Sequence, residues 1–367
     1  MLLNLTIVPG DGIGPEVTEQ AVLVLHAVAS AFGHTLQLQH KLIGAAALTA
    51  ANDPLPLDTI QACLACSAVL LGAVGSPGFD HYPNHLRPEA GLLRLRRELG
   101  AFANLRPAVF FPALEDSSPL RAELVRGTDI MIVRELLGGA YFAEPRSIEG
   151  KAGSRVAVNT MRYSEPEIER IARVAFNLAQ KRRKKVLSVD KANVLECSRL
   201  WREVVTRIGK DHPDVALTHQ YVDSAAMLLV QRPRDFDVVL TENMFGDILS
   251  DQAGGVVGSL GLLASASIGG HVGLYEPVHG SAPDIAGKGI ANPLGAILSV
   301  AMLLRHSFQL EHEAACIENA VNDVLASGAR TADLAGKSHA AVSTAEMGRR
   351  VCETVKIMSA DTLSKMS

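Results

Sequence analysis

Long runs of apolar residues are missing from this 367-residue chain, and no stretch is long enough to cross a bilayer as a helix. Low-complexity tracts, internal repeats and obvious linkers are missing as well, which excludes solenoid, fibrous and disordered classes. Charge of one sign is not in excess. The formal net charge is −4 and the isoelectric point is near 6.3, so general attraction to nucleic acid or to an anionic membrane is not expected. Cysteine is sparse, five residues scattered at positions 63, 66, 197, 316 and 352. An odd count scattered over a long chain points to reduced thiols and a cytosolic setting rather than a disulfide framework. No signal peptide is expected, because the chain opens directly on the strand-like Leu3-Asn-Leu-Thr-Ile-Val8.

What is present is a globular balance, 48% hydrophobic and 20% charged, long enough for two lobes. Strand-like runs at 3–8, 36–38, 68–72, 130–133, 156–159, 186–189, 217–221 and 238–241 alternate with helical patterns, which predicts an α/β architecture. Pro15 opens a helix whose Val17, Ala21, Val24, Leu25 and Val28 share one face, and Ser164-Glu-Pro-Glu167 opens another. From about Asn292 the pattern is almost wholly helical. The expected organisation is a terminal lobe from 1–102 and 255–367, a second lobe inserted at 103–254, and a cleft between them.

The basic run Lys181-Arg-Arg-Lys-Lys185 reads as a solvated helix C-terminus rather than a nucleic-acid patch. Cys63-Leu-Ala-Cys66 has the spacing of half a zinc or redox site. It lies where a helix runs into a buried strand and has no second pair, so it reads as core packing.

Asp247-Ile-Leu-Ser-Asp251 follows the strand-like Phe236–Leu240. On a helix its carboxylates would lie one turn apart on one face, as solvated charge or as two ligands of a hard divalent cation. Position just beyond a strand's C-terminal end favours the second reading, because α/β enzymes place chemistry there. The loop Gly10-Asp-Gly12-Ile-Gly14-Pro15 is not a dinucleotide fingerprint, since its third glycine comes one residue early. It reads as either a structural turn or a loop beside a ligand. Glu276-Pro-Val-His279-Gly280-Ser281-Ala282-Pro283-Asp284-Ile285-Ala286-Gly287-Lys-Gly-Ile-Ala-Asn292-Pro293 is more specific. Its small residues admit a ligand close to the backbone, Asp284 suits a ribose diol, and Asn292 could meet an adenine edge.

Taken with Gly91-Leu-Leu-Arg-Leu-Arg96, Asn104-Leu-Arg-Pro107, Val133-Arg-Glu135, Gly139-Ala-Tyr141, Asp190-Lys-Ala-Asn-Val194 and Tyr221-Val-Asp223, these strings run in family order along the whole chain. The sequence resembles the isocitrate/isopropylmalate family of β-decarboxylating dehydrogenases, and within it the branch acting on 3-isopropylmalate. The resemblance implies a two-lobed, non-Rossmann α/β fold, a homodimer with active sites shared across its interface, NAD, and one Mg²⁺ or Mn²⁺ per site. It implies metal binding by Asp247 and Asp251 of one subunit and Asp223 of the other, with Asp223 also near the substrate. Arg96, Arg106 and Arg134 match the substrate-binding arginines, Lys191 the base and Tyr141 the acid. Leu92, Leu93 and Val194 match the pocket for the substrate's side chain, with Glu89 nearby. Residues His279, Gly280, Ser281, Ala282, Pro283, Asp284, Ile285, Ala286, Gly287 and Asn292 match the NAD loop, and an acidic residue at 284 favours NAD over NADP. The implied reaction is oxidative decarboxylation of (2R,3S)-3-isopropylmalate to 4-methyl-2-oxopentanoate in leucine biosynthesis. The alternative is the same chemistry on D-malate, tartrate or another 3-alkylmalate.

Overall fold

A computed structural model describes residues 1–336 and 340–366, with side chains as far as residue 360. Its elements run β1 (Leu2–Gly10), α1 (Gly14–Ala31), β2 (Thr35–His40), α2 (Gly44–Ala51), α3 (Leu57–Ala65), β3 (Ala68–Ala73), α4 (Pro88–Glu98), β4 (Ala103–Val109), α5 (Ala122–Val125), β5 (Asp129–Glu135), β6 (Arg146–Glu149) and β7 (Val156–Asn159). They continue with α6 (Glu165–Gln180), β8 (Lys185–Asp190), α7 (Glu196–Gly209), β9 (Ala216–Tyr221), α8 (Val222–Gln231), β10 (Val238–Thr241), α9 (Asn243–Val257), β11 (Ala264–Ile268), β12 (Gly273–Pro277), α10 (Leu294–Phe308), α11 (Glu311–Ala326) and α12 (Thr344–Met366).

The chain divides into two compact units. The first holds Met1–Ala101, Phe110–Pro119 and Val257–Ser367. Its strands lie in the order β2-β1-β3-β12-β11, parallel except where β11 runs against β12. Central β3 is buried along its whole length, as a parallel strand covered on both faces should be. One apolar cluster joins Val8, Val69 and Leu71 of the strands to Leu55, Cys63 and Leu95. Helix α1 packs on α10 and α12, and α10 packs on β12. Pro15 sits in the first turn of α1, and the face expected to be apolar, Val17 to Val28, is buried.

Segment 110–119 was expected in the inserted lobe and belongs to this terminal unit instead. Leu114 is buried there, and Arg330 donates to the Ala113 carbonyl, so packing and an internal hydrogen bond override position along the chain. The unit also begins again at Val257, two residues later than the expected 255.

The second unit holds Phe102–Val109 and Leu120–Val256, with strand order β4-β5-β10-β8-β9. Only β4 runs antiparallel to its neighbour β5. A separate antiparallel ribbon, β6 and β7, has its side chains largely exposed. Helix α6 is entered as expected: the Glu167 carboxylate accepts from the Ser164 amide at 2.7 Å, and Pro166 lies in the first turn. It ends at Gln180, so the basic run lies just beyond it, and Arg182 bonds Asp237 and Asp129 rather than only facing solvent.

All five cysteines are unbridged, and burial pushes the Cys63 thiol up to about 12, as expected of an inert packing residue. No helix among the described residues is long and apolar enough to cross a membrane.

Candidate functional site

Helix α9 starts two residues after buried β10, so Asp247 and Asp251 project near the strand's C-terminal end with the expected one-turn spacing. Asp247 is the hub. Its Oδ1 accepts from Arg134 Nη1 and, at 3.3 Å, from Arg106 Nη1; its Oδ2 accepts from the Tyr141 hydroxyl at 2.9 Å. Asp251 Oδ1 lies 3.6 Å from the same Arg106 nitrogen. Burial raises the Asp251 carboxyl above its ordinary value, while Arg106 pulls it back. Burial, then the Asp247 charge, holds the Tyr141 phenol up at about 12, so it remains a proton donor at neutral pH.

The two arginines are held by groups to which the sequence assigned no role of their own. Arg106, on β4, donates to Asn104 Oδ1 at 2.7 Å and to Ser250 Oγ at 2.7 Å. Arg134, on β5 and 2% exposed, sends Nε and Nη2 to Asn243 Oδ1 at 2.9 and 2.7 Å. The Asn243 side-chain Nδ2 donates onward to the Leu136 and Gly138 carbonyls, at 3.1 and 3.0 Å. Beneath it the Tyr163 hydroxyl donates to Glu242 Oε2 at 3.1 Å and accepts from the Asn243 amide at 3.0 Å. Glu242 accepts from the Met244 and Phe245 amides, capping the first turn of α9, and burial raises its pKa. The run of polar residues Thr241-Glu-Asn243 directly after a buried strand was the available signal for this support.

Lys191 and Asp223 form a second cluster in the same unit, Nζ to Oδ1 at 2.6 Å. That hydrogen bond depresses the Asp223 carboxyl below its ordinary value. The structure therefore brings Asp247 and Asp251 together and leaves Asp223 elsewhere. Among the described residues, no three His, Cys, Asp or Glu side chains gather to hold a metal. Val194 is 62% exposed on the turn after β8.

The remaining residues lie in the terminal unit. Glu89, Leu92, Leu93 and Arg96 occupy α4, where Leu92 packs partly on the apolar cluster. Arg96 Nη2 donates to Glu276 Oε1 at 2.7 Å, and its Nε is buried without a partner. The glycine loop and the 276–293 loop are in direct contact. The Ile13 amide donates to the Ser281 carbonyl at 2.8 Å, and the Gly289 amide donates to Glu16 Oε2 at 3.2 Å. A Cβ on Gly12, at φ +58°, would stand 2.0 Å from that same Ser281 oxygen. Buried Asp11 accepts from the amides of Ala45, Ala46 and Gly75, all at 2.9 Å, so the loop is both a rigid turn and the seat of its neighbour.

The donor chemistry of the second loop fits a dinucleotide. His279 Nδ1 lies 3.0 Å from the Gly280 carbonyl, while its Nε2 is buried with no partner. A Cβ on Gly280 or Gly287 would meet nothing within 4 Å, so there is open space for a ligand beside the backbone there. Asp284 is exposed, as recognition of a ribose diol requires. The Asn292 carboxamide accepts from the Leu294 amide at 3.0 Å and donates to Asp333 Oδ2 at 3.0 Å, so it starts α10 and fixes the loop's end.

The family model described as isocitrate/isopropylmalate dehydrogenase matches residues 4–351. The 3-isopropylmalate dehydrogenase of Priestia megaterium is 56% identical over 340 residues, covering 92% of this chain and 92% of that one. That of Aquifex aeolicus is 52% identical over 353 residues, covering 96% and 97%. Among solved structures, isocitrate dehydrogenase from Methylococcus capsulatus shares the fold with a TM-score of 0.86 at 36% identity, over 96% of this chain and 99% of that one.

Proposed function

Because the chain belongs to the isocitrate/isopropylmalate dehydrogenase family, a family of oxidoreductases with a mixed α/β fold, we propose that it catalyses the NAD-dependent oxidative decarboxylation of (2R,3S)-3-isopropylmalate. The product is 4-methyl-2-oxopentanoate, and the role is in leucine biosynthesis. The observation that carries this reading is identity of 52% and 56% over nearly the full length of two 3-isopropylmalate dehydrogenases. The apolar pair Leu92-Leu93 on α4 supports it, since burying the extra carboxylate of isocitrate against leucines would be costly.

A dehydrogenase of this family uses a nicotinamide cofactor and a divalent metal. We assign NAD to the 279–292 loop on the exposed Asp284, which would accept the ribose 2′-hydroxyl and repel a 2′-phosphate. We assign one Mg²⁺ or Mn²⁺ to Asp247, Asp251 and a third carboxylate, Asp223 of a second subunit; an all-oxygen donor set suits a hard cation. When bound, the metal would supply Lewis-acid polarisation of the substrate and NAD⁺ a hydride acceptor. The guanidinium forks of Arg96, Arg106 and Arg134 bind and orient the substrate's two carboxylates. Lys191 takes the C2 hydroxyl proton, and Tyr141, held protonated, returns a proton to carbon after carbon dioxide leaves.

A homodimer with shared sites is the reading we favour, supported by Asp223 pairing with Lys191 and not joining Asp247 and Asp251 in a three-carboxylate cluster among the described residues. Exposed apolar residues in the same unit support the interface: Ile148, Val156 and Val158 on the ribbon, Met227 on α8 and Ile248 on α9. Five unbridged cysteines support a cytoplasmic setting.

The test is NADH formation with Mn²⁺ on 3-isopropylmalate, D-malate, tartrate and isocitrate. Large preference for 3-isopropylmalate is the expected result. Preference for an unbranched substrate would keep the mechanism and overturn the substrate.

A further inference from the structure

Asp190 and Tyr221 are register partners at the C-terminal ends of the neighbouring parallel strands β8 and β9. From these two ends the chain runs on into Lys191 and into Val222-Asp223. Arg202, on α7, touches both ends. Its Nε and Nη2 donate to Oδ2 and Oδ1 of Asp190, each at 2.9 Å, and its guanidinium carbon lies 5.0 Å from the Tyr221 ring centre. Asp190 is 1% exposed, so this carboxylate depends on its partners, and its Oδ1 also accepts from the Ala192 amide at 2.9 Å. One turn before Arg202, Ser198 Oγ accepts from the Lys191 amide at 3.0 Å. The Lys191 amide is thus tied to α7 directly through Ser198 and its preceding residue through Asp190 and Arg202, and Tyr221, which precedes the first turn of α8, meets Arg202 through its ring face.

We propose that Arg202 is a positioning residue, a bracket that sets Lys191 and Asp223 in one mutual geometry through Asp190 on one arm and the Tyr221 ring on the other. The inference rests on the reading of Lys191 as base and Asp223 as metal ligand. Both long-range ties use properties specific to arginine: a planar fork that matches a carboxylate with two parallel bonds, and a flat face that stacks on an aromatic ring. Lysine in its place keeps the charge and loses both. A plain buried ion pair fastening α7 to the sheet would affect stability alone. A bracket also sets the metal site, because groups that orient a ligand from behind typically change metal affinity by about 10–100-fold.

The experiment measures Mn²⁺ dissociation constants by electron paramagnetic resonance titration, with kcat, KM and thermal melting, on the full-length protein and on Arg202→Lys and Tyr221→Leu. For Arg202→Lys, Mn²⁺ binding should weaken at least about tenfold, with kcat lowered at saturating Mn²⁺ and the KM for NAD unchanged. Tyr221→Leu breaks only the arm toward Asp223, so it should weaken Mn²⁺ binding while kcat at saturating Mn²⁺ stays closer to wild type. Both variants melting lower yet binding Mn²⁺ within twofold of wild type would overturn the bracket. A wild-type protein that binds Mn²⁺ without oxidising 3-isopropylmalate would instead remove the proposed substrate, and the variants' Mn²⁺ constants would still decide the role of Arg202.

Discussion

The Tyr141 hydroxyl donates to Asp247 Oδ2 across 2.9 Å, which ties the expected acid to the expected metal ligand within one unit. Tyr141→Phe removes that proton and leaves the ring in place. The expected outcome is a kcat lowered by about 10²–10⁴-fold, with substrate KM moved far less. Steady-state kinetics decides the matter, and a kcat within twofold of wild type removes Tyr141 from the mechanism.

Asn243 holds Arg134 from behind, one carboxamide oxygen serving two guanidinium nitrogens. Asn243→Ala strips that support and unpairs the Leu136 and Gly138 carbonyls as well. Each buried polar group left unpaired costs about 1–3 kcal/mol, so urea unfolding should show a loss of at least about 2 kcal/mol. Substrate KM should rise. An unchanged denaturation midpoint would refute this account of Arg134.

Gly12→Ala places a methyl carbon against the Ser281 carbonyl in a backbone conformation that alanine resists. NAD affinity should fall by about tenfold or more, because a few tenths of an ångström in the loop's seat reach every backbone group that faces the cofactor. Mn²⁺ affinity should not change. Isothermal titration with each ligand separates the two effects.

Asp284→Arg replaces a repelling charge with a fork suited to a 2′-phosphate. The ratio of kcat/KM for NADP over NAD should rise by at least about tenfold. Comparable use of both cofactors by the unmodified protein would show that Asp284 does not discriminate between them.

Burial lowers the His279 pKa from its ordinary value of 6.5, so the fold holds the ring neutral. The stability associated with this group is complete above that ordinary value. It is lost as pH falls through 6.5 toward the lower folded-state value, because the unfolded chain takes up the proton first. His279→Asn should flatten the dependence of melting temperature on pH as pH falls below 6.5. An equally steep slope in the variant would assign the acid sensitivity to other groups.

The sequence made β10 and the carboxylate pair on α9 legible because a short apolar run and an i,i+4 spacing are local patterns. It did not reveal β11 and β12. Ala-Ser-Ala-Ser and Gly-Leu-Tyr-Glu-Pro carry little strand preference, and tertiary burial decides their conformation. Strand β4 was masked by Pro107, which takes its place opposite Met131 in an antiparallel pair. Residue types predicted the ligand classes, but not the supports, since Arg134 meets Asn243 across 109 positions and Tyr163 meets Glu242 across 79. Asn292 likewise is engaged by Leu294 and Asp333, partners that only the folded chain brings to it.

The tie from Ile13 to Ser281 runs from main chain to main chain. Such an anchor is indifferent to which side chains surround it, provided that position 12 stays glycine. With the loop holding the cofactor as proposed, drift at 282–286 can retune what it recognises while its seat stays put, and for evolution the scaffold and the specificity become separable traits.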